Sequence, residues 1–188
     1  MNTLFVWPAE PPTRLAGLYG AIADQLGPAT VVPIDDPADL PDLPEDPPAS
    51  AVVVIVDSLL AASEAGTVLT GLADLADRQG FDLVVVVGDG WLGTDGPRSS
   101  TGMVEAAAVS AVRSLAVRSD RSGRANVVSV PEALFGPSGT QRAPLSQAVE
   151  PEDVAHAVAF LLDASGGYLN GQVLFVNGGR HLFSSMTA

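Results

Sequence analysis

Residues Glu150 to Arg180, EPEDVAHAVAFLLDASGGYLNGQVLFVNGGR, read as one helix–loop–strand unit, and the rest of the chain has to fold around it. Pro151 suits a first helical turn, where its missing N–H costs nothing. Glu150, Glu152 and Asp153 place negative charge at the positive end of the helix dipole. Val154, Ala157, Val158, Leu161 and Leu162 recur at helical spacing and make one apolar face. Gly166-Gly167 is expected to end the helix. Gln172 to Val176 is a short β-rich run closed by Asn177-Gly178-Gly179.

Taken in order, the preceding chain alternates the same two kinds of segment. Thr3 to Trp7 is an apolar run of strand type. Thr13 to Leu26 carries Leu15, Leu18, Tyr19, Ile22 and Leu26 at helical spacing, and Thr30 to Ile34 is a second strand. Asp35 to Pro48, DDPADLPDLPEDPP, is acidic, proline-rich and aperiodic, which forbids a regular helix or central strand. Ala51 to Val56 is a third strand and Ala62 to Arg78 a helix. Phe81 to Val87 is a fourth strand, followed by a Gly-rich loop from Gly88 to Pro97. Thr101 to Arg118 is a long alanine-rich helix, Arg124 to Val130 a fifth strand, and Pro131 to Ala148 an irregular loop. The expectation is one α/β domain over residues 1–188, a Rossmann-like doubly wound parallel sheet of about six strands. Residues 35–50 are read as an exposed linker.

Composition fits buried parallel strands: 47% of residues are hydrophobic and only 5% aromatic. A length of 188 residues suffices for a proper core. No run approaches the length of a membrane span, and no basic leader opens the chain. Without cysteine there is no disulfide framework or thiolate metal site, and a cytoplasmic location is expected. The net charge is −13, with nine arginines and no lysine, which argues against nucleic acid as a partner. The same acidity serves solubility.

The P-E-D-V-A helix, the turn Leu169-Asn170-Gly171-Gln172 and the ending Asn177-Gly178-Gly179 together resemble the C-terminal end of the short-chain dehydrogenase/reductase family. The segment SAVRSLAVRSDRSGRANVVSV resembles that family's helix ending in R-S-L-A and the strand after it. The resemblance covers Phe81 to Arg180 well and Asn2 to Leu60 only as topology. It implies a shortened member lacking one strand–helix unit, with the linker at 35–50 in its place.

The same resemblance implies chemistry that this sequence lacks. The family binds a dinucleotide on a Gly-rich loop after the first strand. Here that place is Trp7-Pro8-Ala9-Glu10-Pro11-Pro12-Thr13, with prolines where amide donors are needed and Glu10 where a phosphate would sit. Gly88-Asp89-Gly90-Trp91-Leu92-Gly93 fits G-x-G-x-x-G, but Thr94 to Ser100 separate it from the next helix, so a flexible loop is expected. Trp91 is a residue to cover a pocket or a partner surface. The family's catalytic Ser, Tyr and Lys positions fall on Gly88, Thr101 and Glu105. Threonine has too high a pKa to replace the phenol, and Glu105 would raise a neighbour's pKa rather than lower it. The expectation is therefore no catalytic, cofactor-binding or metal-binding residue in this chain, with NAD(P) held only by a partner subunit.

Three readings of function follow. The first is a non-catalytic subunit pairing with an active NAD(P)-dependent reductase. By resemblance, its interface residues are Ala106, Ala107, Ser110, Ala111 and Ser114 on the long helix, with Val173, Phe175 and Phe183 in the C-terminal segment. The second is an enzyme with repurposed chemistry using Asp57, Asp89, Glu105 or Thr101, against which stands the simpler reading of these acids as solvated. The third is a homo-oligomeric ligand-binding protein. His156 is expected on a helix surface, and His181 follows the last strand with no role assigned. No nucleophile elbow or phosphate-binding Walker loop is present.

Overall fold

The computed structural model describes residues 2–6, 15–27, 29–33, 51–56, 67, 70–71, 74, 80–93, 99–118, 123–135 and 143–183. Strands β1 (Asn2–Val6), β2 (Ala29–Pro33), β3 (Ala51–Ile55), β4 (Asp82–Gly88), β5 (Ala125–Val130) and β6 (Val173–Phe175) run parallel in the order β2-β1-β3-β4-β5-β6. The described α-helices are α1 (Ala16–Leu26), α2 (Ser99–Ala116) and α3 (Pro151–Leu162).

The expected near-complete doubly wound sheet needs correction. The packed body with described side chains is four parallel strands, β3 to β6, with three helices. A doubly wound sheet needs a helix after each strand to cover both faces. Among the described residues α2 alone covers one face, while α1 and α3 share the other. The last strand is only three residues long, and all three are half-exposed. The linker at 35–50, the Gly-poor loop Trp7-to-Thr13 and most of the helix expected at 62–78 lie outside the described residues.

The valine runs explain the core. Val84, Val85, Val86 and Val87 of β4 are all buried, alternating between the two faces. Val85 and Val87 meet Val104, Ala108 and Val112 of α2. Val84 and Val86 meet the cluster built by Leu18 and Ile22 of α1 and Val154, Val158 and Leu161 of α3. Continuous apolar strands thus belong to a sheet covered on both sides.

The α3 helix starts as its sequence predicts, with the Glu150 N–H donating to Asp153 Oδ2 at 3.0 Å. It ends earlier than expected. Asp163 adopts an extended backbone and its carboxylate accepts from the Ser165 N–H at 2.8 Å, turning the chain before Gly166-Gly167 are reached. The turn at 169–172 is a polar staple. Asn170 accepts from the Ala125 N–H at 3.0 Å and donates to the Ala116 carbonyl at 2.8 Å, joining α2 to β5. Asn126 donates to the Leu169 carbonyl at 2.9 Å and accepts from the Gln172 N–H at 3.0 Å. Gly171, at φ 69°, supplies the left-handed step that this turn requires.

Candidate functional site

The carboxyl ends of β4, β5 and β6 converge on a group of buried polar side chains. Asp89, Glu105 and Ser129 are wholly inaccessible, and Asn177, Arg180 and Glu132 nearly so. α/β sheets keep their sites at this end. The expectation of solvated acids fails for Asp89 and Glu105, and the reason is local packing. Glu105 sits nearly two turns into α2 on the face that meets β4. Its carboxylate reaches back over Gly88 and Gly90 and accepts the Trp91 N–H at 3.0 Å. A Cβ on Gly88 would overlap Glu105 Oε1, and one on Gly90 would overlap Glu132 Oε1. Two glycines of the G-x-G-x-x-G run, Gly88 and Gly90, therefore make room for two glutamates.

The rest of that run is a 3-10 turn, Gly90–Leu92, rather than an open loop. It lays Trp91 against the α2 side of the core. The indole Nε1–H donates to Ser129 Oγ at 3.2 Å, and Ser129 Oγ in turn donates to the Gly88 carbonyl at 3.4 Å. Around Gly88 the donors and acceptors are thus turned toward each other.

Asp89 is the hub of the second half of the cluster. Its Oδ1 accepts from the Glu132 N–H at 3.4 Å, and its Oδ2 accepts from Asn177 Nδ2 at 3.2 Å. Arg180 Nε lies 3.5 Å from the same Oδ2. A buried carboxylate is tolerated when charge and hydrogen bonds meet it from several sides. Asn177 Oδ1 also lies 3.0 Å from His181 Nδ1. The His181 ring stacks on Phe175 at 4.2 Å between centroids, and Phe175 stacks on Trp91 at 5.9 Å.

Of the residues singled out in sequence, Gly88, Asp89 and Glu105 come together here. Thr101 is helical, but its side chain lies outside the described residues, as does all of Asp57. His156 is exposed on α3. Glu132, Asn177, Arg180 and His181 were not foreseen as parts of one cluster. The only sequence signal was their position: each follows the end of a strand. Among the described residues, no group of three acidic or histidine side chains is placed to hold a metal ion. The switch point of the sheet lies between β1 and β3, and residues 7–14 after β1 and 57–66 after β3 are outside the described set.

Two concave surfaces flank the cluster. One, about 500 Å³, runs along α2 and is lined by Trp91, Ala106, Val109, Ser110, Arg113 and Ser114. Ala106, Ala107, Ser110 and Ser114 are exposed and Ala111 half-exposed. The other, about 540 Å³, lies between the Glu132 turn and the segment 143–150, with Asn177 and Arg180 in its wall. In the C-terminal segment Val173 and Phe175 are half-buried and Phe183 exposed.

Known proteins share this architecture. The sequence model of the enoyl-(acyl carrier protein) reductase family matches residues 97–181. The chain is 32% identical over 115 residues to the BbsD subunit of (2S)-[(R)-hydroxy(phenyl)methyl]succinyl-CoA dehydrogenase from Thauera aromatica, covering 54% of this chain and 45% of that protein. It is 54% identical over 39 residues to the 3-oxoacyl-(acyl-carrier-protein) reductase FabG of Rickettsia conorii, covering 21% of this chain and 16% of that one. The chain thus spans less than half the length of these curated relatives. Among solved structures it is similar to the 3-alpha-hydroxysteroid dehydrogenase of Pseudomonas sp. B-0831 complexed with NADH, at TM-score 0.68 and 21% identity over 100% of both chains. It is also similar to a short chain dehydrogenase from Burkholderia cenocepacia J2315 in complex with NADP, at TM-score 0.70 and 16% identity over 95% of this chain and 97% of that one. The fold is that of the short-chain dehydrogenases/reductases. No described helix is long and apolar enough to cross a membrane.

Proposed function

We propose that this chain is a shortened, non-catalytic subunit that pairs with a catalytically competent NAD(P)-dependent reductase of the same fold. The observation that carries the reading is the fate of Glu105. It occupies the position of the family's lysine, yet it is buried, turned back onto Gly88 and Gly90, and bonded to the Trp91 backbone. A lysine there would hold a cofactor ribose and lower a tyrosine's pKa; a buried carboxylate does neither. The neighbouring α2 face carries exposed small side chains, Ala106, Ala107, Ser110 and Ser114, which permit close approach of another helix. The relative from Thauera aromatica is named as a subunit of a dehydrogenase, which supports a role inside an assembly. NAD(P) belongs, on this reading, to the partner alone.

The test is co-expression of the full chain with a full-length reductase from the same genome, followed by native mass spectrometry. A stoichiometric complex is expected, together with no thermal stabilisation of the isolated chain by NADH or NADPH. Turnover of a carbonyl substrate by the isolated chain would sink the proposal.

A further inference from the structure

The structure assigns Asn170-Gly171 as a site of spontaneous covalent modification, a deamidation that the folded turn holds back and that, once made, uncaps the end of α2. The turn demands both residues. Gly171 has φ 69°, and a Cβ on it would stand 3.2 Å from Ala116 Cβ, so a larger residue there is strained and crowded. Asn170 accepts from the Ala125 N–H and donates to the Ala116 carbonyl, and a side-chain amide does both at once. Together they form an Asn-Gly pair, in which no side chain on the second residue screens its nitrogen from the asparagine. Asparagine is among the thermally labile residues. In the reaction the Gly171 nitrogen attacks Cγ of Asn170 and closes a cyclic imide. The N–H hydrogen and the side-chain NH2 leave together as ammonia. Water then opens either carbonyl of the imide and leaves an aspartyl or isoaspartyl residue at position 170.

Hydrogen bonds oppose that step in the folded chain. The attacking nitrogen is engaged, because the Gly171 N–H donates to the Ala125 carbonyl at 2.8 Å. Both ends of the Asn170 amide are held, at 3.0 Å by Ala125 and at 2.8 Å by Ala116. The Asn170 carbonyl accepts from Gln172 Nε2 at 3.0 Å. Yet Asn170 is exposed, in a surface turn that a local opening frees without unfolding the sheet. The chain's other Asn-Gly pair, Asn177-Gly178, has its asparagine buried and bonded to Asp89 in the packed polar core. Water therefore reaches Asn170 first.

The product does not restore the staple. A carboxylate at position 170 still accepts from the Ala125 N–H, but it cannot donate to the Ala116 carbonyl. Ala116 is the last residue of α2, so the new charge also faces the negative end of that helix's dipole. An isoaspartyl product adds a methylene to the backbone of a turn that already needs a left-handed glycine. The modification is thus a one-way loosening of the last turn of α2. This inference holds whether or not the chain pairs with a reductase.

The experiment incubates the full chain at mildly alkaline pH, folded in one sample and unfolded in urea in the other. Peptide mass mapping follows both Asn-Gly pairs over time. In urea both asparagines are expected to convert from amide to acid. In the folded chain Asn170 is expected to react ahead of Asn177, and more slowly than in urea by about a factor of ten or more. Equal rates at Asn170 in the two samples overturn the protection by the turn. Conversion of Asn177 before Asn170 in the folded chain, or an Asn170 that stays intact as long as Asn177 does, overturns the assignment of the site. N170D, which installs the aspartyl product directly, is expected to unfold at a lower urea concentration than the unaltered chain. An unchanged midpoint overturns the uncapping of α2. If N170D does not fold, the conversion rates of the unaltered chain decide alone.

Discussion

The Glu105 carboxylate accepts the Trp91 backbone N–H at 3.0 Å, across the two glycines, Gly88 and Gly90, that flank Asp89. A side chain on the first turns of α2 thereby fixes the loop after β4, and the loop in turn fixes an indole over the sheet's carboxyl end. The contact belongs to a packed polar core at the carboxyl end of the sheet.

Gly88→Ala should destabilise the chain by about 1–3 kcal/mol, because its Cβ would overlap Glu105 Oε1. The same substitution in a Glu105→Ala background should cost much less, since the obstructing atoms are gone. Urea unfolding of the two single variants and the double variant measures the coupling. Strict additivity would show that Glu105 does not occupy that space.

Asp89→Ala should cost about 3–5 kcal/mol, the range for removing one partner of a buried pair, because Arg180 is left buried beside an empty acceptor. Asp89→Ala combined with Arg180→Met should recover part of that loss. Equal stability of the single and double variants would mean that Arg180 draws its support from elsewhere. Thermal denaturation followed by circular dichroism reads both.

Ser110→Arg should leave the isolated chain's stability within about 0.5 kcal/mol, as Ser110 is an exposed residue of the α2 groove. It should lower the yield of the complex with the reductase at least tenfold. Unchanged complex formation would move the interface away from α2 while leaving the subunit reading to be judged by the complex itself.

Acid should weaken the end of α3. The Ser165 backbone N–H, and then its hydroxyl, hold the Asp163 carboxyl below its ordinary pKa. A lowered folded-state pKa contributes stability that is present above the unfolded pKa and is lost as pH falls through the folded one. Asp163→Asn should therefore flatten the acid limb of the stability–pH curve by lowering stability in the neutral region, while the strongly acid end stays little changed. An acid limb unaltered by the substitution would assign the effect to other carboxylates.

The sequence by itself determined the alternation of segments. The valine runs of β4 and β5, the apolar stripe Val154, Val158 and Leu161, and Pro151 at a helix start are local signals, written in spacing and backbone chemistry. The absence of lysine needed no coordinates either. Helix α3 stopped short of Gly166-Gly167 because Asp163 caps the following turn with its own side chain, a contact that glycine spacing does not announce. Only the tertiary structure decided that Asp89 and Glu105 are buried rather than solvated. It also decided that Asn177 and His181, 88 and 92 positions beyond Asp89, complete one network with it. The physical reason is that parallel strands bring their carboxyl ends together across large sequence separations. Hydrogen-bond partners there are chosen by distance in space, to which no periodicity along the chain corresponds.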